Sequence, residues 1–275
     1  MSVPAMIEVP EKEEAPVVLA VDGLSKTFVR RRGFFAEPLK TAALRNVSFE
    51  LRRSDILGVV GESGSGKSTL GKAIVGLEQP EEGSVVLNGR TLIGGTPRHF
   101  VPAAERGIGM IFQDPYSSLN PRMQVRDLVA EGLQIAGTMS RKTIDESVVE
   151  ALEMVGLSPD DRNRHAHQFS GGQRQRIGIA RAIIMQPMVL IADEAVSSLD
   201  VSVQMQVLNL LLDIRDKLHL SLVFITHNIG VVEYLCDHVI VMSRGEVVER
   251  GDARSVIEAP QHAYTQRLIG AVPRL

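Results

Sequence analysis

The stretch Gly61-Glu62-Ser63-Gly64-Ser65-Gly66-Lys67-Ser68-Thr69 holds the spacing Gly-x-x-x-x-Gly-Lys-Ser, the pattern of a phosphate-binding loop. Glycines let the backbone bend so that successive N–H groups point at phosphate oxygens, and the helix that follows adds its positive N-terminal end. In such a loop Lys67 reaches the β- and γ-phosphates and Ser68 offers its hydroxyl to Mg2+. A second chemical group is Asp193-Glu194, which directly follows the apolar run Met188–Ala192. Carboxylates that leave the C-terminal end of a buried strand stand where α/β sheets bind ligands. Asp193 suits Mg2+, in part through water, and Glu194 suits the attacking water, as general base or as orienter. The chemistry these residues support is nucleotide hydrolysis.

A third element is Phe169-Ser170-Gly171-Gly172-Gln173, which opens a helical pattern with Ser170 in the N-cap position. Two glycines allow close backbone approach to a ligand, and a helix N-terminus with bare N–H groups attracts anions. One nucleotide is not easily held by this helix and by the phosphate loop of the same chain. The economical reading is two chains placed head to tail, each covering the other's γ-phosphate, although the spacing alone does not force it.

The surrounding pattern supplies elements to position these groups. Strands are predicted over Val17–Leu24, Asn46–Leu51, Ile56–Val60, Ser84–Leu87, Gly107–Phe112, Met188–Ala192, Ser221–Ile225, Val239–Met242 and Glu246–Glu249. The continuously apolar Ile56-Leu57-Gly58-Val59-Val60 suits a strand buried on both faces. Helices are predicted from the phosphate loop to Leu77 and over Val125–Ala136, Ile144–Val155, Ser170–Met185, Val201–Leu218 and Ile229–Cys236, with short helices after them. The alternation implies an α/β sheet, parallel at its centre. The basic stretch from Val29 to Pro38 reads as a long hairpin loop. The first 16 residues, rich in Pro and Glu, read as a disordered acidic tail. No internal repeat is visible, so one nucleotide-binding unit is expected.

Composition narrows the classes. The chain has 275 residues, enough for a real core, and a net charge of −3, which gives a nucleic-acid partner no support. Aromatics at 4% are poor material for stacking bases. A single cysteine, Cys236, excludes an intrachain disulfide. No apolar run approaches the roughly 20 residues a membrane span needs. Residues 1–18 carry Glu8, Glu11, Glu13 and Glu14, the opposite of a signal peptide's basic start. These features lead to the expectation of a cytoplasmic protein.

In order along the chain, these motifs resemble those of the ATP-binding subunits of ABC transporters, over about residues 17–258. Ser170-Gly171-Gly172-Gln173 resembles the family's signature, and Ser197-Ser198-Leu199-Asp200 resembles the D-loop, which touches the partner's site. Gln113 is similar to the Q-loop glutamine that contacts Mg2+ or water. Thr226-His227-Asn228 is similar to the switch-histidine loop, and Phe28 stands where the family places an adenine-stacking aromatic. The resemblance implies a P-loop NTPase core with a mixed, centrally parallel sheet, an antiparallel β subdomain and an inserted helical subdomain at about 114–168, then a short C-terminal extension at 259–275. It implies ATP and Mg2+ as cofactors, with Glu194, Gln113 and His227 catalytic, Ser68, Gln113 and Asp193 at the metal, and Phe28, Gly61–Thr69, Ser170–Gln173 and Asp200 on ATP. Ala195-Val196, Ser198 and Asn228 depart from common family choices, but no charged catalytic group is lost.

Two segments resemble one branch, the oligopeptide, dipeptide and nickel importers: Gln113-Asp114-Pro115-Tyr116-Ser117-Ser118-Leu119-Asn120-Pro121, and Pro260-Gln261-His262-Ala263-Tyr264-Thr265 with Leu268 and Ala271-Val272-Pro273. In that branch two different ATPase subunits commonly pair, and the lack of a cysteine-bearing C-terminal extension implies the shorter, F-type one. The implied partners are integral membrane permease subunits, a second ATPase subunit and, indirectly, a solute-binding protein, with the chain peripheral at the cytoplasmic face of the inner membrane. Tyr116 and Leu119 are candidate contacts for a permease helix, with core packing an equal alternative. Peptides are the expected cargo; nickel or another small solute is the alternative. A soluble ABC-type ATPase of DNA repair or translation is a further alternative, but it typically carries two such units or a long coiled insertion. A GTPase reading finds no guanine-reading Asn-Lys-x-Asp.

Overall fold

A computed structural model describes residues 15–30, 39–114 and 118–271. The 1–14 part of the expected acidic tail lies outside them. Ala15 and Pro16, counted with that tail in the sequence reading, are held: their carbonyls accept hydrogen bonds from the Arg52 guanidinium and the Arg53 N–H at 2.9 Å each.

The central sheet follows from its apolar runs. Strands β3 (Ile56–Val60), β8 (Val189–Asp193) and β9 (Ser221–Ile225) are buried at every position, as strands covered on both faces must be. With β7 (Ile108–Ile111), β10 (His238–Ser243) and β11 (Glu246–Asp252) they form a six-stranded sheet in the order β11-β10-β3-β9-β8-β7. All pairs are parallel except β10–β11. Register places Val59 beside Ile225, Ile225 beside Asp193, and Ala192 beside Ile111. The carboxyl ends of β3, β9, β8 and β7 are therefore neighbours along one edge, and all four emit a motif there.

A second, antiparallel sheet has the order β2-β1-β4-β5-β6, from β1 (Val17–Arg30), β2 (Leu39–Arg52), β4 (Glu82–Leu87), β5 (Arg90–Gly94) and β6 (His99–Phe100). Here the sequence reading was too short. Val29 and Arg30 are not loop but strand, paired with Lys40 and Leu39. Cross-strand bonding extends the hairpin past the point where hydrophobic alternation stops. Strands β5 and β6 were not foreseen, although Asn88-Gly89, with φ of 46° and 78°, carries the usual sequence signal of a two-residue hairpin turn between β4 and β5.

Helix α1 (Lys67–Val75) lies between the sheets in a core with Leu19, Val59, Ile191 and Ile225. On the other side α2 (Val125–Ala136) and α3 (Arg141–Met154) pack on each other and on α4 (Gly171–Ile183), sharing a second core with α5 (Val201–Leu218). Helices α6 (Ile229–Leu235), α7 (Ala253–Glu258) and α8 (Ala263–Gly270) cover β3 and β10 through a third.

Leu119 is 2% exposed and belongs to the helical core, which settles its role as packing; Tyr116 lies outside the described residues. Leu119→Ala is expected to cost about 2–5 kcal/mol of stability, read by denaturant unfolding.

Candidate active site

The phosphate loop connects the end of β3 to α1. Gly66, the N-cap of α1, has φ 107°, and a Cβ there would collide with the Ala43 carbonyl oxygen; only glycine fits. No side chain caps this helix. The first helical bond is from the Leu70 N–H to the Gly66 carbonyl, so the amides of Lys67, Ser68 and Thr69 precede it and stay available as anion donors.

Lys67 is 5% exposed. Its ammonium donates to the Gly61 and Glu62 carbonyls at 2.8 and 2.9 Å and lies 3.5 Å from the Ser65 hydroxyl. Burial pushes its pKa below the ordinary lysine value, and the Glu194 and Asp193 carboxylates oppose that. The ammonium thus braces the loop from within.

Asp193 ends β8, buried, and its Oδ1 accepts a 2.9 Å bond from the Ser68 hydroxyl. Burial raises its pKa; the Ser68 bond lowers it, Glu194 raises it further, and Lys72 and Lys67 pull it down. A carboxylate held against desolvation beside a hydroxyl is a donor set for a hard cation. Mg2+ is characteristically held by one or two carboxylates, substrate phosphates and water, so this pair fits it.

At Glu194 the chain turns sharply. Its φ of 47° lies in the left-handed region, which costs a residue with a side chain about 1–3 kcal/mol, and its N–H is held by the Ile225 carbonyl at 2.9 Å. Gln113 Nε2 donates to Glu194 Oε2 at 2.8 Å, and His227 Nδ1 stands 3.4 Å from Glu194 Oε1. Gln113 follows β7, Glu194 follows β8 and His227 follows β9, so neighbouring strands bring these three together.

A cleft of about 620 Å³ joins Phe28, Ser63, Gly64, Gly66, Lys67, Ser68, Thr69, Gln113, Glu194 and His227. Phe28 comes from the antiparallel sheet and is 39% exposed. Sequence reasoning missed Thr41, Ala42 and Ala43 in the same wall; Thr41 and Ala42 pair with Phe28 and Thr27 of β1, Ala43 sits at the register shift beside them, and none carries a motif. Gly61, Glu62 and Ser65 do not line this cleft. Gly61 and Ser65 are buried behind it, and Glu62 faces another hollow beside α8.

Ser170, Gly171, Gly172, Gln173 and Asp200 line a different cleft, of about 510 Å³, which shares no residue with the first. One chain does not unite the two motif sets. The start of α4 is also less bare than expected. The Ser170 hydroxyl accepts from the Gln173 N–H at 3.3 Å, and Gln173 Oε1 accepts from the Ser170 N–H at 3.1 Å, a capping box. Gly172 has a reason within the chain as well: a Cβ there would lie 2.6 Å from Val203 Cγ1 on α5. Asp200 is the exposed N-cap of α5, but its side chain makes no capping bond.

Comparison with known proteins agrees with this geometry. The sequence profile described as "ABC transporter" matches residues 44–197. The dipeptide transport ATP-binding protein DppF of Haemophilus influenzae is 44% identical over 264 residues, 96% of this chain and 80% of that protein. The di/tripeptide transport ATP-binding protein DppF of Pseudomonas aeruginosa is 43% identical over 258 residues, 94% of this chain and 80% of that one. Among solved structures, CbiO1 from Clostridium perfringens, part of the ABC transporter complex CbiONQ, superposes with a TM-score of 0.73 at 26% identity, covering 90% of this chain and 92% of its own. The dimeric ATP-binding cassette MJ0796, in a post-hydrolysis state bound to ADP and Pi, gives 0.71 at 27% identity, covering 86% and 99%. With the phosphate loop, the carboxylate pair and the glutamine and histidine assembled on one sheet edge, the chain belongs to the ABC transporter family and is an ATP-binding, ATP-hydrolysing subunit of it.

Proposed function

We propose that this subunit powers import of di- or oligopeptides across a membrane, and that ATP binds in the cleft between Phe28 and the phosphate loop. The observation that carries the site assignment is the convergence of Gln113 and His227 on Glu194, beside the Ser68–Asp193 pair. Phe28 stacks adenine. The Gly61–Thr69 loop and Lys67 bind the phosphates. Ser68 and Asp193 hold Mg2+, with Gln113 assisting, and the ion supplies neutralisation of phosphate charge when bound. Glu194 takes the proton of the attacking water, and His227 steadies the γ-phosphate as charge develops there.

Ser170–Gln173 and Asp200 act across a dimer interface, each chain completing the partner's site. Their separation from the ATP cleft within one chain supports this, as does the dimeric MJ0796 cassette. The second subunit is a copy of this chain or a related ATPase. The chain is divided into the ATPase unit 17–258, its helical subdomain at about 114–168, and the segment 259–275.

No helix among the described residues is long and apolar enough to cross a membrane. In this reading permease subunits supply the pore, and the chain sits at their cytoplasmic side, as the family membership supports. An apolar cleft of about 670 Å³ between the central sheet and α2, with Ile108, Met110, Phe112, Ile135 and Met185 in its wall, is a fitting seat for a permease helix. Peptide cargo is the choice favoured by the names of the relatives.

The test is copurification of the chain from its native membrane with integral membrane subunits, then ATPase assay of that complex in vesicles with its solute-binding protein. A dipeptide is expected to stimulate Mg2+-dependent hydrolysis. Stimulation by nickel and not by peptides would overturn the cargo, and copurification with DNA-repair or ribosomal components would overturn the importer.

A further inference from the structure

Helix α8 reaches the phosphate loop from the flank facing an adjoining hollow, lined by Arg45, Glu62, Arg244, Tyr264 and Arg267 and sharing Ser63 and Gly64 with the Phe28 cleft. The Tyr264 hydroxyl accepts a 2.9 Å hydrogen bond from the Glu62 N–H. The ring is 9% exposed and packs in one cluster with Val60, the residue before the loop. The tyrosine is itself anchored. His262 Nδ1 accepts the Tyr264 N–H at 3.1 Å, and the Glu249 carboxylate accepts the N–H groups of Gln261 and His262 at 2.7 and 3.0 Å.

On the loop, Glu62 is gripped at both ends, its N–H by Tyr264 and its carbonyl by the Lys67 ammonium. The Ser65 carbonyl accepts from the Gly245 N–H at 2.9 Å, in the turn between β10 and β11. Elements from the last part of the described chain thus satisfy loop peptide groups that are not aimed at the ATP cleft. A loop set before the ligand arrives need not be ordered on binding, and that favours affinity.

We propose that Tyr264 is a positioning residue for nucleotide binding: its hydroxyl holds the Glu62 peptide, and through it the phosphate-facing part of the loop. The proposal rests on the reading of the Phe28–Lys67 cleft as the ATP site. It makes α8 part of the nucleotide machinery, although none of its residues lines the Phe28 cleft.

Tyr264→Phe in the full chain removes one oxygen and leaves the packing. The Glu62 N–H then lacks its acceptor, and the loss of one such bond corresponds to about fivefold in affinity. The expected result is an ATP Kd and KM about fivefold higher, kcat within about twofold, and faster hydrogen exchange over residues 61–67. Tyr234→Phe removes a hydroxyl bonded to Asn209 at 2.6 Å and lining neither hollow; it is expected to change none of these. His262→Ala, which keeps the phenol and removes the acceptor of the Tyr264 N–H, should raise Kd in the same direction. It keeps the test open if Tyr264→Phe fails to fold.

Wild-type Kd and loop exchange in Tyr264→Phe would overturn the proposal, as would lowered stability with an unchanged KM. If Tyr264→Phe cannot be folded, unchanged binding in His262→Ala overturns it. Lys67→Met separates the two failures: if it weakens ATP binding by about 100-fold while Tyr264→Phe binds normally, the positioning role alone is wrong. If Lys67→Met binds as wild type, the ATP site itself is misassigned.

Discussion

Glu194→Gln is expected to lower kcat for ATP hydrolysis by about 10²–10⁴-fold while ATP still binds. Glutamine keeps the length and shape of the side chain. Its carbonyl oxygen can still accept the Gln113 Nε2 bond that Glu194 Oε2 accepts at 2.8 Å, so the arrangement around it survives. What is lost is the basic oxygen that takes a proton from water. The backbone at φ 47° tolerates the change because both residues have the same backbone demands. Nucleotide therefore remains bound and unhydrolysed, and two chains closed around it should accumulate as a dimer in ATP. Single-turnover hydrolysis together with size-exclusion chromatography in ATP checks both halves. Hydrolysis at the wild-type rate would remove Glu194 from the role of general base.

Lys67→Met should weaken ATP binding by about 100-fold, measured by calorimetric titration. Among the described residues the ammonium is the only lysine or arginine charge in the wall of the Phe28 cleft. A hydrogen bond to a charged group contributes about 1.5–3 kcal/mol, and the long-range attraction of a buried cation for a triphosphate adds to it. Folding stability should respond far less. Burial already works against the charge, as its lowered pKa shows, and methionine fills similar space without needing solvation. Two carbonyls, of Gly61 and Glu62, lose their donor, which limits any gain. The contrast between a large affinity loss and a small stability change is the signature of a group placed for ligand. A Kd within about threefold of wild type would contradict it.

The two sets of residues were not equally legible. The phosphate loop, the Asp193-Glu194 pair and the buried strands that precede them could be read directly, because each is local. A strand covered on both faces must be apolar at successive positions, and a loop that wraps a phosphate needs glycine, lysine and hydroxyl at fixed spacing. Gln113, His227 and Phe28 are single residues of ordinary type, and they were found only through the order of motifs in a known family. Their meeting depends on strand order: β7, β8 and β9 are adjacent, though β7 and β8 are separated by the whole helical layer in sequence. The hairpin at Arg30–Leu39 and the strands β5 and β6 were underestimated for a related reason. These segments are held in local hairpins by cross-strand bonds more than by apolar runs, so hydrophobic alternation does not mark them.

The start of α4 shows the limit most clearly. From sequence, Ser170-Gly171-Gly172-Gln173 read as two glycines opened for a ligand. In the fold, Gly172 makes room for Val203, and Ser170 and Gln173 cap each other. Tyr264 is the converse. In the sequence it belongs to the Pro260–Thr265 segment with no chemistry attached, and only the packing of α8 against Val60 brings its hydroxyl to Glu62. By itself, the sequence determined the phosphate loop, the carboxylate pair, the parallel centre of the sheet and the family, because spacing and periodicity are properties of neighbouring residues. Only the tertiary structure decided which residues share the ATP cleft, which lie in a second cleft apart from it, and what holds the loop from behind, because those contacts join residues up to 202 positions apart.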